Sequence, residues 1–341
     1  MTMKWRLTHL ALAIATLFVG CGRMHKEPFE KAPLARGEIQ VVRLSEKSNL
    51  YIERVRFWSD EMNEPRFFLA LIPKSPGPSS TSPPQASVNE KSGASSKSEK
   101  QGSSSNKEVR ETPAAPFRPS EVFILNHGWT DRPEYLLKYL HVDTVYNDML
   151  GRGKVRPAII IIPDVRFANF FRESSDLSPF HNYLTLVAEE VAGTASKQYG
   201  IPFDRERWTI GGFSFGGYLS LDVGRRYPGR FSAVSVVSGF ADSDWTYWPS
   251  TPPPPGRLDA QGRGKQTIVV PGPIPRLFLA CGTDDRLFRA MLHLHEKLTA
   301  LGISHRWWTG PGGHTWKTWS AVLPVMLEFT LGNSEATASS P

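Results

Sequence analysis

The sequence predicts a three-layer α/β domain with a mostly parallel central sheet and an antiparallel extension of strands at its N-terminal end. From residue 120 onward, short apolar runs alternate with segments that suit helices, which is typical of parallel sheets covered by helices. Runs such as residues 158–162 are apolar without interruption, as expected for strands buried on both faces. At 341 residues and 40% hydrophobic residues, the chain has enough apolar material for one large core.

The first 37 residues differ from the rest of the chain. Residues 1–20 combine Lys4 and Arg6 with a short apolar run, which is typical of a secretory signal and too short to span a bilayer. Cys21 ends a segment that resembles the lipobox of bacterial lipoproteins, so we expect lipidation there and a polar tether over residues 21–37. The resemblance implies export and a lipid anchor in the bacterial cell envelope. The alternative is an ordinary signal cut at another site.

Strand patterns begin the folded domain, which we expect over residues 38–331. Apolar, β-branched runs at residues 38–44, 50–58 and 66–72 predict an antiparallel opening. Residues 73–117 are rich in Pro, Ser and Lys, and predict a disordered insertion, which is tolerable where both flanking strands lie at the surface edge of one sheet. The alternative is a linker between domains. We also expect a disordered tail at residues 332–341.

Alternating strands and helices follow in the main part of the domain. Strands are predicted at residues 122–125, 158–162, 207–210, 233–237, 277–281 and 305–308, and helices at 132–150, 182–199, 218–223, 287–301 and 316–331.

A glycine-flanked serine lies between the third of these strands and its helix. The sequence Gly-Phe-Ser-Phe-Gly at residues 212–216 matches the G-x-S-x-G pattern of a nucleophile elbow, in which a strained turn exposes the serine. Ser214 is therefore a candidate nucleophile. The alternative is a Gly-rich turn with a surface serine.

A serine nucleophile needs a histidine as base and a carboxylate to orient that histidine. After such an elbow, the acid and then the histidine are expected along the chain. Asp284 and Asp285 both follow a buried strand, and His314 follows the last strand in a Gly-rich loop. His314 is the candidate base, and its alternative is a surface histidine at a helix N-terminus.

Backbone amides are expected to stabilise the negative oxygen of the reaction intermediate. The amide of Phe215, directly after the nucleophile, is one candidate donor, and the amide of Trp129, in the loop after the first central strand, is the other. His127 in that loop is expected to pack or hydrogen-bond under it. Trp129, Phe215 and Trp245 are candidate substrate-binding residues and indicate an apolar or aromatic acyl group.

Other function classes find little support. The formal net charge is +7, but Lys and Arg are scattered among acids, which argues against a nucleic-acid partner. No metal motif and no phosphate-binding loop occurs, so we expect neither a metal nor a cofactor. The two cysteines, Cys21 and Cys281, are not expected to form a disulfide, and Cys281 lies in an apolar run that predicts burial.

Together these segments resemble a known family over residues 120–330. The resemblance is carried by Asn126-His127-Gly128, the apolar run 157–164, the pair Glu189-Glu190, the elbow 211–218, residues 226–231, Ser238-Gly239, Cys281-Gly282-Thr283-Asp284-Asp285-Arg286-Leu287 and Gly312-Gly313-His314-Thr315-Trp316. This set is similar to the Putative esterase family, which includes esterase D, feruloyl and siderophore esterases, and mycolyltransferases.

The resemblance implies the α/β-hydrolase fold, with Ser214 as nucleophile, His314 as base and Asp285, two positions before a leucine, as the acid in preference to Asp284. Three features depart from the family: Asn126, where a leucine is common, the insertion 73–117, and a long Pro-rich loop at residues 248–275.

We therefore expect a serine esterase that cleaves a small-molecule or glycan-linked carboxylic ester through an acyl-enzyme intermediate, without a cofactor. Two alternatives stay open: an acyltransferase of the mycolyltransferase type, and an inactive envelope protein that binds glycans on the same fold.

Overall fold

A computed structural model of the chain describes residues 33–75, 117, 119–166, 178–241 and 273–333. Cys21, Trp245, most of the insertion 73–117 and most of the loop 248–275 lie outside the described residues. The strands are β1 (Ile39–Glu46), β2 (Leu50–Ser59), β3 (Glu64–Pro73), β4 (Glu121–Asn126), β5 (Ala158–Pro163), β6 (Trp208–Phe213), β7 (Ala233–Val237), β8 (Arg276–Gly282) and β9 (His305–Gly310).

These strands form a nine-stranded sheet in the order β1-β2-β3-β5-β4-β6-β7-β8-β9. The pairs β1–β2, β2–β3 and β3–β5 are antiparallel, and every pair from β5 to β9 is parallel. The predicted fold class is thus confirmed, including the antiparallel extension at the N-terminal end.

Helices cover both faces of the sheet. They are α1 (Pro133–Lys138), α2 (Val142–Gly151), α3 (Ser178–Thr185), a π-helical segment (Leu186–Val191), α4 (Ala192–Tyr199), α5 (Phe215–Arg226), α6 (Phe288–Ala300) and α7 (Trp316–Leu331). One hydrophobic cluster joins the sheet to the π-helical segment, α4, α5 and α6, and a second joins it to α1, α2 and α7. This arrangement makes three layers. Within the described ranges, no helix is long and apolar enough to cross a membrane.

Residues 132–150 form two helices where the sequence predicted one. The break is at His141, which has a φ of 53°. Leu140 and Val142, on either side of it, are both buried in the same hydrophobic cluster. In a straight helix, residues two positions apart point in widely different directions, so the break allows both side chains to reach the core.

The insertion 73–117 is flanked by two interior strands, whereas the sequence argument for tolerating it required two strands at the edge of one sheet. β3 pairs with β2 and β5, and β4 pairs with β5 and β6, which makes both flanking strands interior. Because β3 runs antiparallel to β5 and β4 runs parallel to it, the end of β3 and the start of β4 lie at the same end of the sheet.

Candidate active site

Ser214 lies at the sharp turn from β6 into α5, as the elbow pattern predicts. Its backbone has φ 54° and ψ −121°, a strained conformation for a residue with a side chain. A Cβ atom on Gly212 would lie 2.5 Å from the carbonyl carbon of Gly216. A Cβ atom on Gly216 would overlap the carbonyl oxygens of Asn126 and His127. Glycine is therefore required on both sides of the serine.

The structure brings Ser214, His314 and Asp285 into one hydrogen-bonded line. His314 Nε2 lies 2.9 Å from Ser214 Oγ, and His314 Nδ1 lies 3.0 Å from each carboxylate oxygen of Asp285. His314 comes from the loop between β9 and α7, and Asp285 from the turn after β8. With Nδ1–H bonded to the carboxylate, Nε2 is left to accept the serine proton.

Asp285 is held in its charged form. Burial alone would raise the pKa of its carboxyl, but the hydrogen bond and positive field of His314, with hydrogen bonds from the Leu287 amide and Ser238, lower the pKa below its ordinary value. The Leu287 amide donates to Oδ1 at 2.8 Å. A charged carboxylate is what the imidazolium of His314 needs beside it.

Asp284, the alternative acid, has another set of partners. Its Oδ2 accepts a hydrogen bond from the Gly312 amide at 3.2 Å, and its own amide donates to the Gly312 carbonyl at 3.0 Å. Asp284 thus ties down the loop that carries His314. Of the two neighbouring aspartates, Asp285 is the one that contacts the histidine.

His127 is fully buried beneath the loop that follows β4. Its Nδ1 lies 2.8 Å from the Gly128 carbonyl oxygen, and its Nε2 accepts a hydrogen bond from the Val165 amide at 3.2 Å. Burial lowers the pKa of His127 to about 4, so the ring is neutral at pH 7. The ring therefore links the ends of β4 and β5, in a place where a structural histidine was expected.

The two predicted oxyanion donors belong to segments that meet beside Ser214. Phe215 begins α5, and its ring contacts the Trp129 ring edge-on, with centroids 5.3 Å apart. A Cβ atom on Gly128 would lie 3.6 Å from Ser214 Cβ, so the loop after β4 passes close to the serine. The amides of Phe215 and Trp129 stay the predicted donors.

A pocket of about 170 Å³ opens over Ser214 and His314. Aromatic side chains form much of its wall: Trp129, Phe215, Phe240, Trp316 and Trp319. Trp129 and Phe215 were predicted there; Trp245 lies outside the described residues. Phe240, Trp316 and Trp319 were not predicted there, although the two tryptophans follow His314 closely in the sequence.

Two charged residues, Asp131 and Arg286, also line the pocket and were missed. Asp131 Oδ2 accepts a hydrogen bond from the Gly128 amide at 3.1 Å. Burial raises the pKa of the Asp131 carboxyl to about 6. The sequence signal that could have identified Asp131 is its position three residues after Gly128, in the loop expected to hold the oxyanion. In the part of the chain that the structure describes, no group of three His, Cys, Asp or Glu side chains is arranged to hold a metal.

The chain is similar in sequence and in structure to several known proteins. An acetyl esterase of Caldicellulosiruptor saccharolyticus is 25% identical over 163 residues, which cover 42% of this chain and 61% of that relative. An S-formylglutathione hydrolase of Staphylococcus aureus has a similar structure, with a TM-score of 0.55 and 14% identity over 87% of this chain and 98% of its own.

A ferulic acid esterase of Anaeromyces mucronatus, solved in complex with ferulic acid, is also similar, with a TM-score of 0.55 and 17% identity over 84% of this chain and 94% of its own. Both solved structures share the fold of this chain. The family model described as Putative esterase matches residues 113–330, which is more than half of the chain. The chain therefore belongs to the Putative esterase family.

Proposed function

We propose that the chain is a serine esterase, a carboxylic ester hydrolase that works through an acyl-enzyme intermediate. The observation that carries this proposal is the line of hydrogen bonds from Asp285 through His314 to Ser214. Membership of the Putative esterase family supports the reaction class.

Each residue has a defined role in the proposed reaction. His314 Nε2 accepts the proton of Ser214 as Oγ attacks the ester carbonyl carbon, and Asp285 stabilises the resulting imidazolium. The amides of Phe215 and Trp129 donate to the oxyanion, and such a donor contributes roughly 3 kcal/mol of transition-state stabilisation. His314 then gives its proton to the departing alcohol. Water, activated by the same histidine, cleaves the acyl-enzyme and restores Ser214.

The pocket supports an apolar or aromatic acyl group as part of the proposal. Its aromatic walls offer flat apolar surface next to the nucleophile, and its volume of about 170 Å³ suits a small acyl group. The related acetyl esterase and the neighbour that binds ferulic acid are consistent with this size range. Trp245 stays a proposed contributor to substrate binding.

The test is hydrolysis of p-nitrophenyl acetate together with labelling by a fluorophosphonate. We expect the wild type to be labelled and active, and Ser214→Ala to lose both properties. Asp285→Asn should lower kcat by about 10⁴-fold, because the amide favours the wrong histidine tautomer. Asp284→Asn is the matched control and should retain most activity. Equal labelling of wild type and Ser214→Ala would refute the proposal.

We further propose that the enzyme is exported and held at the cell envelope by a lipid on Cys21. The charged and apolar pattern of residues 1–20, followed by Cys21 in a segment that resembles the lipobox of bacterial lipoproteins, supports this location. Cys21→Ser should move the full chain from the membrane fraction to the soluble fraction on detergent partitioning. Unchanged partitioning of the variant would contradict the anchor.

A further inference from the structure

Ser238 occupies an unusual position directly after β7. It is fully buried, and its φ of 49° lies in the left-handed region that serine rarely adopts. Its amide donates a hydrogen bond to the Ala280 carbonyl at 2.7 Å, which fixes the turn against the end of β8. A strained backbone at a buried serine indicates that the surrounding structure holds its hydroxyl group in a particular place.

The hydroxyl group of Ser238 joins Trp319 to Asp285. Trp319 Nε1 donates a hydrogen bond to Ser238 Oγ at 3.0 Å. An indole N–H is only a donor, so the serine oxygen acts as acceptor and its own proton is available for another group. The Ser238 hydroxyl also lies close enough to the Asp285 carboxylate, which is only an acceptor, to help lower the pKa of that carboxyl. A proton directed from Ser238 to Asp285 would therefore continue the hydrogen bond that Trp319 donates to Ser238.

We propose that Ser238 and Trp319 are positioning residues for the catalytic acid: Trp319 orients the Ser238 hydroxyl, which donates its proton to the Asp285 carboxylate. This inference rests on the proposed function of that line. Neither residue touches the reacting atoms through this chain of bonds; both act through the carboxylate.

The geometry of Asp285 shows why such an anchor matters. Both of its carboxylate oxygens lie 3.0 Å from His314 Nδ1, so the histidine does not favour one oxygen over the other. The Leu287 amide holds Oδ1 from one side, and in the proposed arrangement the Ser238 hydroxyl, in the turn after β7, adds a second donor. The Trp319 ring also packs edge-on against the His314 ring, with centroids 5.0 Å apart. Trp319 therefore supports both Asp285 and His314, the two residues that act with Ser214.

Two titratable groups face Asp285 besides the exposed Asp284 next to it. One is the His314 imidazole, and the other is the Cys281 thiol on β8, whose burial raises its pKa to about 12 and keeps it neutral at pH 7. A change at Ser238 should therefore appear in the pH dependence of catalysis. Without the donated proton, the carboxylate keeps more of its negative charge and holds the proton on His314 more tightly.

The test compares Ser238→Ala with Ser235→Ala in the full chain. Ser235 is a matched control because it lies three residues earlier, on β7, is equally buried, and its hydroxyl bonds Thr330 Oγ1 at 3.0 Å, away from the acid. We expect Ser238→Ala to lower kcat about 10-fold to 100-fold with little change in KM, since misplacement of a catalytic group acts on the chemical step. The acid limb of kcat/KM against pH should move to higher pH. Ser235→Ala should keep the wild-type profile.

Trp319→Phe provides a second variant if Ser238→Ala does not fold. It removes the indole N–H and keeps an aromatic ring, so we expect a smaller loss and an acid limb displaced in the same direction. Combined with Ser238→Ala, its effect should be less than the product of the two single effects. Profiles identical to Ser235→Ala for both variants would overturn the inference. An inactive wild type would instead refute the proposed function.

Discussion

Asp131 places a carboxyl group against the loop that is predicted to hold the oxyanion. It accepts a hydrogen bond from the Gly128 amide, and burial raises its pKa from 3.8 to about 6. The folded state therefore binds the proton of Asp131 more tightly than the unfolded state does. Stability from this group is fully present below pH 3.8 and is lost as the pH rises through about 6.

Asp131→Asn should therefore stabilise the protein increasingly as the pH rises from about 3.8 to above 6. The asparagine keeps an oxygen for the Gly128 amide and carries no charge, so it avoids the cost of burying a carboxylate. From the raised pKa we expect a gain in unfolding free energy of about 3 kcal/mol at pH 8 and about 1.5 kcal/mol at pH 5. Urea denaturation at the two pH values measures both gains.

Asp148→Asn is the control for this experiment. Asp148 is exposed and pairs with Arg152 at 3.0 Å, and such a surface pair contributes about 0.5 kcal/mol. A gain for Asp131→Asn that does not depend on pH would contradict the burial argument.

For individual residues, the sequence motif and the order of residues along the chain predicted the catalytic candidates. They did not predict which side chains contact one another. Ser214 and His314 followed from the elbow and the order of strands, and the structure brings them within hydrogen-bond distance. Spacing left Asp284 and Asp285 undecided, because neighbouring residues in a turn point in different directions. Ser238 could not be assigned a role from sequence, since its role depends on Trp319, a distant residue that the fold brings to it.

The π-helical segment Leu186–Val191 is hydrogen-bonded to the turn between β2 and β3. Its Glu190 carboxylate accepts hydrogen bonds from the Ser59 hydroxyl, from the Asp60 amide at 2.8 Å and from the Glu61 amide at 3.1 Å. The apolar pattern predicted a regular helix over residues 182–199. It could not predict the π turn, which accompanies contacts with a segment about 130 residues away.

Glu190→Ala should destabilise this junction. It leaves three donors of the β2–β3 turn without their acceptor, and we expect a loss of about 1–3 kcal/mol in unfolding free energy. Glu189→Ala is the matched control, because Glu189 is the adjacent residue and makes a half-exposed ion pair with Arg230 at 2.6 Å. That variant should lose less than about 1 kcal/mol. Thermal or urea unfolding of the two variants measures both losses. Equal losses would contradict a stabilising role of the Glu190 hydrogen bonds.

For the whole molecule, sequence predicted which segments are strands but not all of their neighbours. The bounds of β7 and α7 agree with the prediction, because continuous apolar runs and a helical pattern between clear turns mark them. Burial of a strand does not identify the strand beside it. An edge position of β3 was the condition set for tolerating the insertion, whereas β3 pairs with β5 inside the sheet.

The position of β5 between β3 and β4 leads to a prediction about the insertion. Leu71 of β3 pairs with Ile160, and Glu121 of β4 pairs with Ala158, so the end of β3 and the start of β4 flank the same part of β5. The gap between them is two strand spacings, or roughly 10 Å. A linker of about eight residues can span this distance.

Replacing residues 76–116 by a Gly/Ser linker of about eight residues should therefore preserve both the fold and ester hydrolysis. Loop-closure entropy predicts a gain in stability of at most about 1.5 kcal/mol from the shorter connection, if the loop it replaces behaves as a flexible chain. A length series should then lose about 0.6 kcal/mol for each doubling of the linker. Urea denaturation and p-nitrophenyl acetate hydrolysis measure the two properties. Loss of folding would show that residues 76–116 contribute to the core, and loss of activity in a folded variant would show that they contribute to the site.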